Sequence, residues 1–332
     1  TSRGCEAHCL FCSVVAFMRE MGQIPGWRSR SIENIVDELD YLYSTYGVQC
    51  FKIVDDSFLE SPRDTRWVNE FANQLAMRNL KIKFRTQVRA DRLNEDIVRS
   101  LVSAGWFATS IGIENASPTA LKRMNKSASF DDNMNALELL KKYHVYVQMG
   151  MILFDDTTSV SELEENLEFL SSLDWPVTKG IFTEMYAAAG TPFTARLARQ
   201  QSIQQDKSGN YEYVHTSDAI VNRIYNGLRM WHKSHSNIYD HAINPISAPK
   251  VLPVDGYRVY HAVCMELLHL DVAFYRNLLN HCKFIQSPVN DKTFVDEQIS
   301  ITILEFTHVA ERLTTFDERY GLDYHARPNP FL

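Results

Sequence analysis

From residue 31 to about residue 200 the chain alternates between two hydrophobic periods. In SIENIVDELDYLYSTYG, Ile32, Ile35, Val36, Leu39 and Leu42 recur at helical spacing and Gly47 ends the run, which predicts an amphipathic helix. CFKIVDDSF follows as a short strand that ends in polar residues. SPRDTRWVNEFANQLAMRN predicts a second helix, with Ser61 as N-cap and Pro62 in its first turn. KIKFRTQVRAD reads as a strand, NEDIVRSLVSAG as a helix closed by Gly105, and WFATSIGIEN as a strand. SPTALKRM and SFDDNMNALELLKKYH read as helices, VYVQMGMILF as a strand and SVSELEENLEFLSSL as a helix. VTKGIFTEMY predicts one more strand, and TPFTARLARQ starts a helix with Thr191 as cap and Pro192 at its first position.

The pattern makes five strand–helix units, or six if TSR at the start is the end of a first strand. Strands and helices alternating at this length imply parallel strands with helical crossovers. A barrel and an open sheet share that pattern, and in both the ligands sit at the carboxyl ends of the strands. Those ends are Asp55-Asp56, Gln87 with Arg89, Glu114, Asp155-Asp156 and Glu184.

The rhythm changes after residue 200. Residues 201–215 are polar and read as a linker. Residues 216–332 read as a helical C-terminal region, with helical stretches at 216–235, 255–283 and 291–317 and a break at INPISAPKVLPVDG. Tyr257 and Tyr260, near His261, are candidates to line a substrate pocket.

Composition narrows the classes. The chain has 332 residues, 45% of them apolar, enough for a sizeable core. A formal charge of −7 without a basic block argues against nucleic-acid binding through a broad positive face. No stretch reaches the ~18 apolar residues of a membrane span, and no signal peptide is recognisable. The first residue is Thr, which leads us to expect a fragment of a longer protein. Six cysteines are too few for a disulfide scaffold, and half of them crowd into residues 5–12. That clustering points to a metal site and a reducing, cytoplasmic setting. Cys50, Cys264 and Cys282 stand alone and read as small buried apolar residues.

The crowded stretch is RGCEAHCLFC, with Cys5, Cys9 and Cys12. A structural zinc site takes four ligands, and His8 inside the loop could complete a Cys3His set. A [4Fe-4S] cluster also suits three closely spaced thiolates, and with only three its fourth iron stays open to another ligand. Counting ligands leaves both readings standing.

C-x3-C-x2-C with Phe11 before the last cysteine, opening a run of β/α units, resembles the radical S-adenosylmethionine (SAM) superfamily over roughly residues 1–200. SRGC, IVDDSF, IGIENAS, ILFDDTT and AAGTPF resemble the subgroup whose members often carry an upstream cobalamin-binding domain, although the cobalamin motif D-x-H-x-x-G is not in this sequence. The resemblance implies a partial (β/α)6 barrel with a helical C-terminal region. It implies that Cys5, Cys9 and Cys12 hold a [4Fe-4S] cluster whose open iron chelates the methionine moiety of SAM. One electron then cleaves SAM to a 5′-deoxyadenosyl radical that abstracts hydrogen from a substrate. Phe11 would flank the adenine. Asp55 and Asp56 stand where the wider superfamily has a Gly-Gly-Glu-like motif for the SAM amino group; only the carboxylate carries over here. Glu114 would accept the ribose hydroxyls.

Other contacts follow from the residues themselves. Arg89, beside Gln87, could hold the SAM carboxylate with two prongs, or pair with Asp91 or Glu95. Gly112 would let the backbone approach a ligand. Met149 and Met151 would line the adenine pocket, or serve as ordinary core. Asp56 could instead organise the turn before the next helix, and Glu114 could cap SPTALKRM.

The leading reaction is a cobalamin-assisted methyl transfer to an unactivated carbon. The alternatives are a cobalamin-free rearrangement, cyclisation or oxidation, and a non-catalytic metal-binding module. The expected partners are a small-molecule or peptide substrate and an external one-electron donor such as flavodoxin or ferredoxin. The helical C-terminal region is expected to select the substrate, so that removing 216–332 would spare SAM cleavage.

Overall fold

A computed structural model describes residues 1–205, 211–213, 216, 218–253, 255–285 and 288–322. In chain order the elements are β1 (Ser2–Gly4), α1 (Ser13–Glu20), β2 (Trp27–Ser29), α2 (Ile32–Tyr46), β3 (Cys50–Lys52), α3 (Thr65–Met77), β4 (Lys83–Val88), α4 (Glu95–Ser103) and β5 (Trp106–Glu114). There follow α5 (Pro118–Arg123), α6 (Phe130–Lys142), β6 (Tyr146–Met151), α7 (Val160–Ser172), α8 (Pro192–Arg199), β7 (Ile203–Gln205), β8 (Tyr211–Tyr213), α9 (Ala219–Ser247), α10 (Gly256–Phe284) and α11 (Asp291–Tyr320). The chain divides into two compact units. One comprises Thr1–Gly150, Met185–Val214 and Pro249–Val251; the other comprises Met151–Glu184, His215–Ala248 and Leu252–Leu332.

The first unit is built on a sheet in the order β3-β4-β5-β6. β3 runs parallel to β4 with Phe51 opposite Phe84, and β4 runs parallel to β5 with Val88 opposite Ile111. This register brings the residues after β4 level with Gly112 to Glu114 at the carboxyl end of β5. The helices cover the sheet with the faces their period predicts: Ile35, Val36 and Leu39 of α2 and Val68, Phe71 and Leu75 of α3 are buried. Phe58, Phe71, Phe84 and Trp106 make the aromatic part of this core, and Trp67 stacks on Phe71 at 5.4 Å.

Three expectations change here. α3 is capped by Asp64, whose side chain accepts from the Trp67 amide at 3.0 Å, so the helix begins at Thr65 and not beside Ser61. A carboxylate three residues before a helical amide outcompetes the earlier Ser-Pro pair. β1 forms as TSR predicts, but it pairs antiparallel with β2 in a separate two-stranded sheet and does not head the parallel series. VTKGIFTEMY does not make a strand; it carries only isolated bridge residues at Val177 and Glu184, the latter pairing parallel with Phe154. Gly180 adopts φ +85°, which breaks the extended run.

Within the stretch read as a linker, β7 and β8 pair antiparallel, while 206–210 and 214–215 lie outside the described residues. Also outside them are 217, 254, 286–287 and 323–332 of the expected C-terminal region.

The second unit is mostly helical. α9 runs on past residue 235 to Ser247, with Pro245 in its final turn, where the missing amide costs only one backbone bond. α10 packs on α7 through the Tyr275 hydroxyl, which donates to the Leu163 carbonyl at 2.8 Å. The Asp271 carboxylate is buried and accepts from Trp231 Nε1, His235 Nε2 and Tyr239 Oη at 2.7, 2.9 and 2.8 Å. Tyr260 is buried and donates to Asp317, and His261 Nε2 lies 2.7 Å from the Trp175 carbonyl. These contacts occupy Tyr260 and His261 in helix packing, and Tyr257 is buried beside them in α10. Cys264 and Cys282 are buried as expected, whereas Cys50 is only half-buried. No helix among the described residues is long and apolar enough to cross a membrane.

Candidate functional site

The three-cysteine loop joins β1 to α1 and is tied down along its length. Gly4 N donates to Asp56 Oδ2 at 2.8 Å. Asn125 Nδ2 donates to the His8 carbonyl at 2.8 Å. Leu10 N donates to the Met124 carbonyl, and the Leu10 carbonyl accepts from Phe193 N, both at 3.0 Å. Anchors from three separate chain segments thus fix a loop too short and irregular to be held by its own backbone bonds.

Cys5, Cys9 and Cys12 are free and half-buried, and all three line one cavity of about 170 Å³. Burial pushes the Cys5 thiol up to about 11, with Glu60 adding to the rise, and burial also raises Cys9 and Cys12. Thiols in this state bind a metal only by releasing their protons. His8 is exposed and is not among the lining residues of this cavity. Among the described residues no three His, Cys, Asp or Glu side chains converge on a point as a single ion needs. Three thiols lining one space are the donor set that three corners of a [4Fe-4S] cluster take.

Of the nine expected nucleotide contacts, Phe11, Asp56, Gln87, Arg89, Gly112 and Glu114 line the same cavity. Asp55 does not. It is buried, and accepts from Thr1 N at 2.7 Å and Ser2 N at 2.9 Å, with Arg63 Nη1 at 3.4 Å. Burial works to raise Asp55, but the Thr1 and Ser2 donors outweigh it and hold the carboxyl below the usual range. Met149 is buried in β6 and is not a lining residue. Met151, at the end of the same strand, is buried too and belongs to the second unit.

Arg89 keeps both prongs within the protein. Its Nε donates to Asp91 at 3.0 Å, and its Nη1 faces Glu60 at 3.2 Å. Burial alone would lower the guanidinium, but Asp91 and Glu60 raise it. Arg89 thus makes the ion pair with Asp91 while also lining the cavity.

Glu114 ends β5 with φ 68° and pairs with Lys126 Nζ at 2.9 Å. It does not cap α5; there the Asn115 side chain accepts from the Ser117 amide at 2.9 Å. Lys126 has 8% of its side chain exposed. Burial would lower its ammonium, but Glu114 and Cys9 more than compensate and raise it. Gly112 leaves the space for this pair: a Cβ there would sit 2.1 Å from Glu114 Oε1.

Two site residues escape sequence reasoning, Lys126 and Glu60. Lys126 sits in the polar run after SPTALKRM, and Glu60 in the loop after IVDDSF. The one signal available was proximity to a strand end already singled out.

A family model described as the radical SAM superfamily matches residues 1–170. An uncharacterized methyltransferase of Pyrococcus horikoshii is 27% identical over 175 residues, which are 52% of this chain and 36% of that protein. The anaerobic magnesium-protoporphyrin IX monomethyl ester cyclase of Cereibacter sphaeroides is 27% identical over 178 residues, 52% of this chain and 27% of that one. The solved structure of the cobalamin-dependent S-adenosylmethionine radical enzyme OxsB with aqua-cobalamin bound aligns with a TM-score of 0.66 at 19% identity. That alignment covers 96% of this chain and 54% of OxsB, and the likeness is one of fold. The chain thus spans about a third or less of the two curated relatives.

Proposed function

Because the chain belongs to the radical SAM superfamily, we propose that it holds a [4Fe-4S] cluster on Cys5, Cys9 and Cys12 and cleaves SAM reductively to start a radical reaction on a substrate. The observation that carries this reading is the cavity: three free thiols, Phe11, the Asp56 carboxylate and the Glu114–Lys126 pair line one space. When bound, the cluster supplies the single electron that SAM cleavage needs, and the protein's part is to place the reactants and exclude competing reactions.

The residues divide that work by charge and shape. Asp56 presents a carboxylate where a cationic amine is stabilised. Glu114, held by Lys126, presents acceptors to a ribose diol, and Lys126 offers a buried cation to a carboxylate. Phe11 offers a ring face to the adenine. Asp55 serves this site indirectly, by fixing the β1 end, and Arg89 lines the cavity while it fixes the turn after β4.

Cobalamin-dependent methyl transfer is the leading reaction. The names of the methyltransferase relative and of OxsB support it. The second reading is a cobalamin-free rearrangement, cyclisation or oxidation, and the name of the cyclase relative supports the cyclisation. The substrate is a small molecule or peptide, and the electron comes from a flavodoxin- or ferredoxin-type donor.

Anaerobic reconstitution tests the proposal. It should give a brown protein with about four irons per chain, and dithionite plus SAM should release 5′-deoxyadenosine. A colourless protein, or a cluster that leaves SAM intact, would overturn it. Added cobalamin separates the two reactions: a bound corrinoid spectrum with a methylated product supports the first, and product without it the second.

A further inference from the structure

Glu60 carries a buried carboxylate, with 0% of its side chain exposed, and no motif marks it. A buried carboxylate costs several kcal/mol unless it is paired, so the groups that face it are informative. Arg89 Nη1 lies 3.2 and 3.4 Å from its two oxygens. Arg92 Nη2 lies 2.9 Å from Oε2, and Cys5 Sγ lies 3.4 Å from Oε1. Arg89 also holds Asp91, and Arg92 also reaches Glu6 in the cysteine loop at 2.9 Å. The group contains two cations and three anions, so it leaves one net negative charge against the first thiol.

We infer that Glu60 is a positioning residue for the cysteine loop, fixing its first half through Cys5, Arg89 and Arg92, and that its charge biases the electron affinity of whatever cluster the loop holds. The loop's later half has its own anchors at Met124, Asn125 and Phe193. At the first half, Asp56 accepts from the Gly4 amide, and the Glu60 carboxylate lies against the Cys5 thiol. Groups behind metal ligands orient them and set the energetics of the centre. A negative charge beside a cluster opposes reduction. The electron-affinity part rests on the radical SAM reading above; the positioning part does not.

The test has one arm without metal and one with it. In the metal-free chain, Glu60→Ala should speed amide hydrogen exchange across residues 4–12 about fivefold or more while β4 and β5 keep their protection. Glu60→Gln keeps acceptors for the arginines and should restore slow exchange to within about twofold of wild type. If Glu60→Ala unfolds, Arg92→Gln, which cuts the link between Glu60 and Glu6 at a half-exposed site, should loosen 4–12 alone. Unchanged exchange in 4–12 for the folded variants overturns the positioning role. In the reconstituted protein, Glu60→Gln should retain wild-type iron and show a more positive midpoint potential by EPR-monitored titration. An unchanged potential at full iron overturns the electrostatic role. Should wild type fail to load a SAM-cleaving cluster, the functional reading falls, and the exchange arm still decides whether Glu60 positions the loop.

Discussion

Lys126 Nζ lies 2.9 Å from Glu114 Oε1, across a space kept open because residue 112 has no side chain. A Cβ on Gly112 would approach Glu114 Oε1 to 2.1 Å and Lys126 Nζ to 3.0 Å. Three residues that look independent in the chain therefore act as one device at the carboxyl end of β5. The lysine fixes the carboxylate, and the glycine admits both.

Glu114→Gln should weaken SAM binding about tenfold or more, because hydrogen bonds to a charged acceptor carry about 1.5–3 kcal/mol. Iron content should stay at the wild-type level, since Glu114 is not one of the thiol ligands. Equilibrium binding on reconstituted protein, with iron assayed in parallel, checks this. An unchanged affinity would remove Glu114 from the ribose contact.

Gly112→Ala should separate stability from binding. The atoms a methyl group would meet are the far ends of two flexible side chains, which can swing away at small cost. The melting temperature should therefore fall by no more than a few degrees, equivalent to about 1 kcal/mol. SAM affinity should fall with it, because Glu114 is displaced from the cavity. A collapse in melting temperature would show that the backbone, and not the side chains, takes the strain.

Asp55→Ala should cost about 3–5 kcal/mol of folding stability, because it leaves the buried Arg63 guanidinium without its carboxylate. Chemical denaturation measures this. The pH dependence follows from the lowered carboxyl. Asp55's contribution is fully present above the unfolded carboxylate pKa of about 3.9 and is lost as pH falls through the lower folded value. Wild type and variant should therefore converge in stability only at strongly acidic pH. A constant difference down to pH 2 would contradict that assignment.

Removing residues 216–332 should not leave a working SAM-cleaving remnant. Met151–Glu184 belongs to the same compact unit as the C-terminal helices, with α7 bonded to α10 through Tyr275 and Leu163. Truncation strips that cover, so the remnant should expose apolar residues such as Leu163, Phe169 and Leu170 and bind a hydrophobic dye. A remnant that melts cooperatively and cleaves SAM would restore the expectation of an independent appendage.

Features with short sequence range were legible in advance. Three thiols within eight residues, the buried stripe of α2 and the Thr191 cap of α8 each depend on neighbours along the chain. Where two local signals competed, the outcome needed geometry: Asp64, and not Ser61, caps α3 because its side chain meets the Trp67 amide. The strand expected at VTKGIFTEMY failed because one residue, Gly180, takes a left-handed conformation that hydrophobic pattern does not report.

By itself, the sequence determined the three-thiol spacing of the cysteine loop and the alternation of strands and helices that follows it, since thiol spacing and amphipathic period act over a few residues. Only the tertiary structure decided which charges share the cavity. Glu114 meets Lys126 across 12 residues and Cys5 meets Glu60 across 55, and both encounters depend on strand register and loop path. The same geometry ties Asp55 to Thr1, Ser2 and Arg63 away from the cavity lining and pairs Arg89 with Asp91 and Glu60 at its wall, because a buried charge takes the nearest partner the fold supplies.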